Sequence, residues 1–316
     1  MIVSSKLSEV EIDKGIFKQV LDLDGFFMVD ENVLKNFPEL SKKNLFVVIS
    51  GEESKSLENY KSALEALDKS GKKTIIAVGG GVTGDLAGFV ASTYKRGVEL
   101  FQVPTTLLAM IDSSLGGKNG INLGSKKNYV GTIYQPKKII VDPNFLKTLS
   151  KKEISNGLAE AIKYFSVFGE PSFFELFNFD INNSQNVISN CCKIKLAIVE
   201  EDERDIGIRH TLNFGHTVGH ALERVYNLSH GEAISIGMIK ELVLAKKLNL
   251  VTEEKINQIK KLLEKNSLPT EFPPNFNLKN CLDMMELDKK GSLVFSFDKK
   301  NFNVKLTRDF LEENLK

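Results

Sequence analysis

A chain of 316 residues exceeds what one hydrophobic core usually organises and suits two domains. Its 42% hydrophobic and 26% charged residues describe a folded protein and exclude a disordered one. Lys plus Arg (42) nearly balance Asp plus Glu (41), so a formal charge of +1 excludes a general attraction to nucleic acid or to an anionic membrane.

In chain order, Gly25 to Val29 and Leu45 to Ile49 read as short strands around a Lys-rich, helix-compatible segment. Gly51-Glu52-Glu53-Ser54-Lys55 follows the second strand, and Leu57 to Leu67 has an apolar stripe at helical spacing. Thr74-Ile75-Ile76-Ala77-Val78 is the apolar, β-branched run of a buried parallel strand. It enters Gly79-Gly80-Gly81-Val82-Thr83-Gly84-Asp85, in which Gly79, Gly81 and Gly84 satisfy G-x-G-x-x-G between a strand and a helix. Such a turn either brings backbone close to a pyrophosphate or simply packs helix on strand. The next strand, Val98 to Val103, ends in Pro104-Thr105-Thr106 without the acidic residue that usually holds the ribose hydroxyls. Any nucleotide would therefore be held in a non-standard way.

Beyond Pro104, Asp112 precedes Gly116-Gly117-Lys118-Asn119, and Lys126-Lys127-Asn128 follows. A lysine behind paired glycines is either a phosphate contact or part of a solvated loop. The run from Tyr134 to Pro143 supplies another strand, which Asp142-Pro143 ends, and the pattern is then helical for most of the remaining length. Ser150-Lys151-Lys152-Glu153 is a capping-box signature that opens a helix carrying Glu160 and Lys163. Their i,i+3 spacing alone suits a surface ion pair, although Ala and Leu neighbours permit a buried face for Glu160. Val187 to Asp205 forms a further helix, bearing Lys193 and Lys195. Ser229-x-x-Glu232 opens the helix that runs to about Asn249, and Asp288 to Phe297 resembles a short hairpin with a basic pair, Lys289-Lys290.

All four histidines, His210, His216, His220 and His230, fall between Arg209 and Glu232. His216 and His220 share a helix face by spacing, and imidazole suits zinc and similar ions. No cysteine lies near, so a metal here would be catalytic with an open coordination position. Helix-capping or core-edge histidines are the alternative reading. Cys191, Cys192 and Cys281 form no disulfide framework, and neither a signal-type h-region nor a membrane-length apolar run is present. The expectation is a cytoplasmic protein.

Several blocks together resemble the 3-dehydroquinate synthase family of sugar phosphate cyclases. They are residues 79–89, 96–118, 126–136, 157–164, 202–209 and 212–221, followed by His230-Gly231-Glu232. The resemblance implies an α/β NAD-binding domain over 1–149, its parallel sheet departing from the usual Rossmann form. An all-α metal-binding domain over 150–316 would follow. It implies Glu160, His216 and His230 as ligands of zinc or cobalt, with His220 facing the substrate and helping phosphate to leave. It implies NAD contacts from Glu52, Lys55, Gly80, Gly81, Val82, Asp85, Thr105, Thr106, Asp112, Lys118, Lys127, Thr148, Leu149 and Glu153. The substrate, a phosphorylated sugar acid, would meet Asp112, Lys118, Asn128, Lys163, Lys195, Arg209, Asn213, His220 and Lys289 or Lys290. Arg96 matches an arginine that reaches a neighbouring subunit, implying a homodimer. The chain is shorter than most relatives before Ser50, and Asn119 and Lys126 vary the usual motifs. Another sugar phosphate cyclase, a metal-dependent glycerol-type dehydrogenase and an inactive scaffold are the rival readings.

Overall fold

A computed structural model of the chain describes residues 1–124, 126–288 and 293–315. The residues cluster into two units. The first comprises Met1–Ser150 and Asp180–Glu203, the second Lys151–Phe179 and Arg204–Lys316.

The first unit is built on a sheet of strands β1 (Ile2–Ser4), β2 (Glu9–Ile12), β3 (Phe26–Asp30), β4 (Asn44–Val48), β5 (Thr74–Gly79), β6 (Glu99–Pro104) and β9 (Lys138–Val141). Its order is β1-β2-β9-β6-β5-β3-β4, parallel throughout except for the antiparallel β1–β2 pair. β3 and β5 are interior strands, buried on both faces, which their unbroken apolar runs require. The short helices α1 (Phe17–Val20) and α2 (Glu31–Asn36) link the early strands. α3 (Leu57–Ser70) starts where Ser56 Oγ accepts the Asn59 N–H and stops at left-handed Gly71. α4 (Gly81–Thr93) follows β5 directly. Phe26, Met28, Ile75, Ala77, Leu86 and Val90 form the core beneath it, each large side chain contributing about 1.5–3 kcal/mol on burial.

Sequence periodicity misses two features here. β1 and β2 are too short to show a period, yet β2 extends the sheet beside β9. β7 (Lys118–Leu123) and β8 (Lys126–Ile133) form a separate antiparallel ladder where lysines suggest a loop. β8 is mostly exposed, so it lacks the apolar alternation that marks a half-buried strand. Asn119 closes this ladder: its Nδ2 donates to the Gly117 (2.7 Å) and Tyr134 (3.0 Å) carbonyls. A Cβ on Gly88 of α4 would lie 1.8 Å from Asn119 Oδ1, so that glycine makes room for the contact.

The chain then forms α5 (Lys151–Phe168) and α6 (Phe173–Phe177) of the second unit before α7 (Gln185–Glu201) rejoins the first. The rest of the second unit is helical: α8 (His216–Tyr226), α9 (His230–Lys247), α10 (Glu253–Lys265), α11 (Leu278–Asp288) and α12 (Arg308–Asn314). A small pair, β10 (Val294–Phe295) with β11 (Val304–Lys305), is added to it. Residues 289–292 of the hairpin expected over 288–297 lie outside the described residues, and its described strand, Val294–Phe295, pairs with Val304–Lys305 ten residues further on. Val218, Leu222, Ala233, Ile236, Leu282 and Phe295 make this unit's core. No helix among the described residues is long and apolar enough to cross a membrane.

Candidate metal and nucleotide sites

In the second unit, α5 carries Glu160 and Lys163 along its buried face. The two do pair, as their spacing suggests, but not at the surface: Glu160 is fully buried and Lys163 is 2% exposed. The reason is that α5 packs on α9, with Asn156 at the crossing. A Cβ on Gly231 would come 2.5 Å from the Asn156 Cα. Asn156 Oδ1 accepts from the Gly231 N–H (3.2 Å) and from Ser229 Oγ (2.9 Å). That ties the start of α9 to α5, a role for Asn156 that no sequence motif announces. The Ser229–Glu232 capping box forms as its spacing predicts, and His230 occupies the first helical position behind it. The cap is made by Ser229 and Glu232, so the His230 ring is not needed for it.

His230 Nε2 lies 3.1 Å and His216 Nε2 3.4 Å from the same Glu160 oxygen, Oε1. One ligand atom from each of these three residues falls within 4.8 Å of the others, the cluster of this kind found among the described residues. His220, which helical spacing pairs with His216, stacks edge-on to it at 5.1 Å between ring centroids but is not a member. Each member imidazole is oriented from behind. His216 Nδ1 meets the Phe214 carbonyl at 3.0 Å, so Nδ1 carries the proton and Nε2 presents a lone pair. His230 Nδ1 faces Glu223 Oε2 at 3.5 Å.

The electrostatics suit a cation. Burial alone would raise the Glu160 carboxyl, but Lys163, His216 and His230 outweigh it and hold the group well below the usual range. Burial and the nearby Lys163 ammonium keep His216 neutral, far below its ordinary value. Burial also opposes charge on His230, yet hydrogen bonds to Glu160 and Glu223 push it up to about 9. A ligating imidazole must be neutral, so a metal would displace the His230 proton; one ionised carboxylate and two neutral imidazoles, with outer partners in place, then match the donor set of a catalytic divalent metal. Lys163 Nζ also donates to the Leu212 carbonyl at 2.8 Å. Arg209 and Asn213 sit on the 3-10 turn Ile208–Asn213, Arg209 being buried. Glu153 is exposed in the first turn of α5, and Lys289 and Lys290 lie outside the described residues.

In the first unit the candidate nucleotide residues follow the C-terminal ends of parallel strands, where ligands bind open α/β sheets. Glu52 and Lys55 follow β4; Gly80, Gly81, Val82 and Asp85 follow β5; Thr105 and Thr106 follow β6; Thr148 and Leu149 come after β9. Lys55 is buried between two carboxylates, Asp85 at 2.9 Å and Glu52 at 3.2 Å. Asn122 Nδ2 donates to Glu52 Oε1 (3.0 Å) and the Asn122 N–H to the Lys55 carbonyl (2.7 Å), which ties the β7–β8 ladder to this turn. Asn128, left-handed with φ 52°, donates its N–H to Asn122 Oδ1. α4 begins without any side-chain cap and without an acidic residue in its first turn. Thr83 Oγ1 and Ser113 Oγ are buried there without hydrogen-bond partners. Cβ atoms on Gly80 and Gly81 would come 3.2 Å from Thr106 and 3.1 Å from Ser113. Uncapped N–H groups, unmet hydroxyls and glycine-lined access suit a pyrophosphate.

Asp112 lies on a π-helical turn, Ala109–Ser113, and Lys195 of α7 donates to both its carbonyl (2.7 Å) and its Oδ1 (2.8 Å). Lys118 and Lys127 are exposed on the β7–β8 ladder. Arg96 is also exposed, in a left-handed turn past the C-terminal end of α4. A 13-residue helix, roughly 20 Å long, separates it from the Gly80–Gly81 turn.

The family descriptions "3-dehydroquinate synthase N-terminal" and "3-dehydroquinate synthase C-terminal" match residues 45–156 and 157–291. The 3-dehydroquinate synthase of Desulforamulus reducens is 41% identical over 284 residues, covering 84% of this chain and 79% of that one. Among solved structures, a 2-epi-5-epi-valiolone synthase from Streptomyces hygroscopicus with NAD+ and Zn2+ bound superposes with a TM-score of 0.83 at 23% identity. It covers 99% of this chain and 97% of the other. A 2-deoxy-scyllo-inosose synthase complexed with carbaglucose-6-phosphate, NAD+ and Co2+ gives 0.84 at 24% identity, with 97% and 95% covered.

Proposed function

The chain belongs to the 3-dehydroquinate synthase family, and on that premise we propose how its residues divide the work. The enzyme converts 3-deoxy-D-arabino-heptulosonate 7-phosphate to 3-dehydroquinate and phosphate, the second step of the shikimate pathway to chorismate and the aromatic amino acids. When bound, NAD supplies a reversible hydride acceptor and zinc or cobalt supplies a Lewis acid for the substrate oxygen being oxidised.

Glu160, His216 and His230 would hold the metal, and the observation that supports this most directly is the convergence of both imidazoles on one buried oxygen of Glu160. Lys163, paired with Glu160, keeps that carboxylate ionised and fixed. Glu52, Lys55, Gly80, Gly81, Val82, Asp85, Thr105, Thr106, Lys127, Thr148, Leu149 and Glu153 serve the nucleotide, with Asp112 and Lys118 shared between nucleotide and substrate. Lys118, Lys163, Lys195 and Arg209 supply positive charge for a substrate bearing phosphate and carboxylate, each charge-assisted hydrogen bond contributing about 1.5–3 kcal/mol. Asn128 and Asn213 orient the ring oxygens. His220, beside the metal ligands without joining them, faces the substrate and assists departure of phosphate. Holding one conformer through successive chemical steps is the enzyme's main contribution, so few side chains need to act as acids or bases.

Arg96 stands far along α4 from the residues of its own chain that it would serve, which fits a group offered to a second copy. The working form is then a homodimer. Three free, buried cysteines fit a reducing cytoplasm.

The test is turnover of the heptulosonate phosphate with catalytic NAD and Zn2+ or Co2+. Phosphate released without net NADH supports the reading. Stoichiometric NADH would mark a dehydrogenase instead, and no turnover with or without chelator would mark a scaffold.

A further inference from the structure

We propose that Glu241 is a positioning residue for the metal centre, gripping the first turn of α8, and so His216, from the same helix that carries His230. The inference rests on the metal-ligand assignment above. Glu241 is fully buried on α9. Its Oε2 accepts the Gly215 N–H at 2.8 Å and its Oε1 accepts the Val218 N–H at 3.1 Å. Gly215 is the residue that caps α8, and Val218 is two residues past His216, which opens the helix. A helix start normally finds its acceptor in a Ser, Thr, Asp or Asn at the cap. Gly215 has no side chain to offer, and no side-chain cap from the α8 segment itself is formed. A carboxylate from a neighbouring helix supplies the acceptor instead, at the end of α8 where the helix dipole favours negative charge.

The reach is made possible by three glycines. A Cβ on Gly237 of α9 would lie 2.1 Å from the Gly215 carbonyl oxygen, and one on Gly219 of α8 would lie 3.1 Å from the Ala233 carbonyl. Gly215 itself is left-handed (φ 78°), and a Cβ there would meet the Met238 backbone nitrogen at 3.1 Å. The two helices therefore meet backbone to backbone, close enough for Glu241 to bridge them. One helix thus fixes both imidazoles. It carries His230 at its first position and holds His216 through a carboxylate eleven residues later, roughly 16 Å along the axis. Burying a carboxylate is unfavourable unless both oxygens are satisfied, so Glu241 is no neutral core filler. Metal ligands need placement within about half an ångström, which is what such an anchor provides.

The experiment is a Zn2+ titration, against a competing chelator, of metal-free wild type and Glu241→Gln. Glutamine keeps the shape but turns an N–H donor toward one of the two backbone donors. Expected are an unchanged circular dichroism spectrum, unchanged NAD affinity and a Zn2+ dissociation constant raised about ten- to a hundredfold, the usual effect of losing an outer contact. At saturating Zn2+, kcat returns to the wild-type value. Wild-type Zn2+ affinity in the variant overturns the proposal, as does a kcat that stays low with affinity unchanged. Should Glu241→Gln fail to fold, Glu241→Asp keeps the charge but is one methylene short. Weakened Zn2+ binding there supports the proposal and wild-type binding overturns it. A wild-type protein that takes up no Zn2+ sinks the ligand assignment itself. One that binds Zn2+ alongside an unchanged variant sinks only the role of Glu241.

Discussion

Lys55 donates a 2.9 Å hydrogen bond to Asp85, and the Asp85 carboxyl is nonetheless pushed up to about 6. Burial is the main cause, and the negative charge of Glu52 adds to it. Lys55 is shifted upward as well: burial opposes its charge, but two anions beside it prevail. One cation shared by two carboxylates leaves Asp85 the under-compensated partner. Unfolded, Asp85 would release its proton near 3.8. Between that value and about 6 the folded chain holds a proton that the unfolded chain has lost. This contribution is therefore complete below the lower value and disappears as pH rises through the upper one, about 3 kcal/mol in all. Wild type compared with Asp85→Asn by urea unfolding should show a stability difference that declines by that order from pH 4 to 7. A flat difference would remove Asp85 from the account.

Removing a metal ligand and removing its neighbour should have opposite signatures. Glu160→Ala is expected to abolish metal retention on gel filtration, because two imidazoles alone would face Lys163 without an anion. His220→Ala is expected to keep one metal per chain while kcat falls on the order of a hundredfold, the usual scale for a lost proton-handling group. Metal analysis with the pattern reversed would reassign the ligands.

Lys195 donates to the carbonyl and to Oδ1 of Asp112, so its loss removes both of these bonds and a cation proposed to meet the substrate. Lys195→Met should raise KM for the phosphorylated substrate by about tenfold or more, the equivalent of one charge-assisted hydrogen bond. Zn2+ content should not change. An unaltered KM would confine Lys195 to structural support of the Ala109–Ser113 turn.

Gly237→Ala tests the close helix crossing. Its added methyl meets a backbone carbonyl, which cannot swing aside as a side-chain tip would. A loss of about 1–3 kcal/mol, read as a lower midpoint for the second unit, is the expected scale of overpacking. No measurable loss would mean that α8 and α9 separate easily.

Local pattern made several elements legible. The apolar run of β5, the glycine turn behind it and the Ser229–Glu232 box each announce themselves within a few residues, because strand burial and helix capping are short-range physics. The metal cluster is different. Spacing on one helix can pair only His216 with His220, whereas the atoms that meet include Glu160, 70 residues upstream of His230. The resemblance supplied that triad; periodicity had no access to it. The Glu160–Lys163 pair shows the same limit: spacing gives the partner but not the depth, which α9 decides. Asn156 and Glu241 are invisible for a related reason. Each acts on the backbone of a distant helix start, and no motif encodes such a contact.

Helix α7 belongs with the sheet, yet α5 and α6 of the other unit are made before it. During synthesis the first 150 residues therefore leave the ribosome lacking the helix whose Lys195 will bind Asp112 and whose Cys192 will meet the Met110 carbonyl. That turn must wait, half-supported, until about residue 203 has emerged, so a nascent chain stalled with Ser150 just clear of the ribosome should be cut by protease near Asp112, and one stalled with Glu203 well clear of it should not.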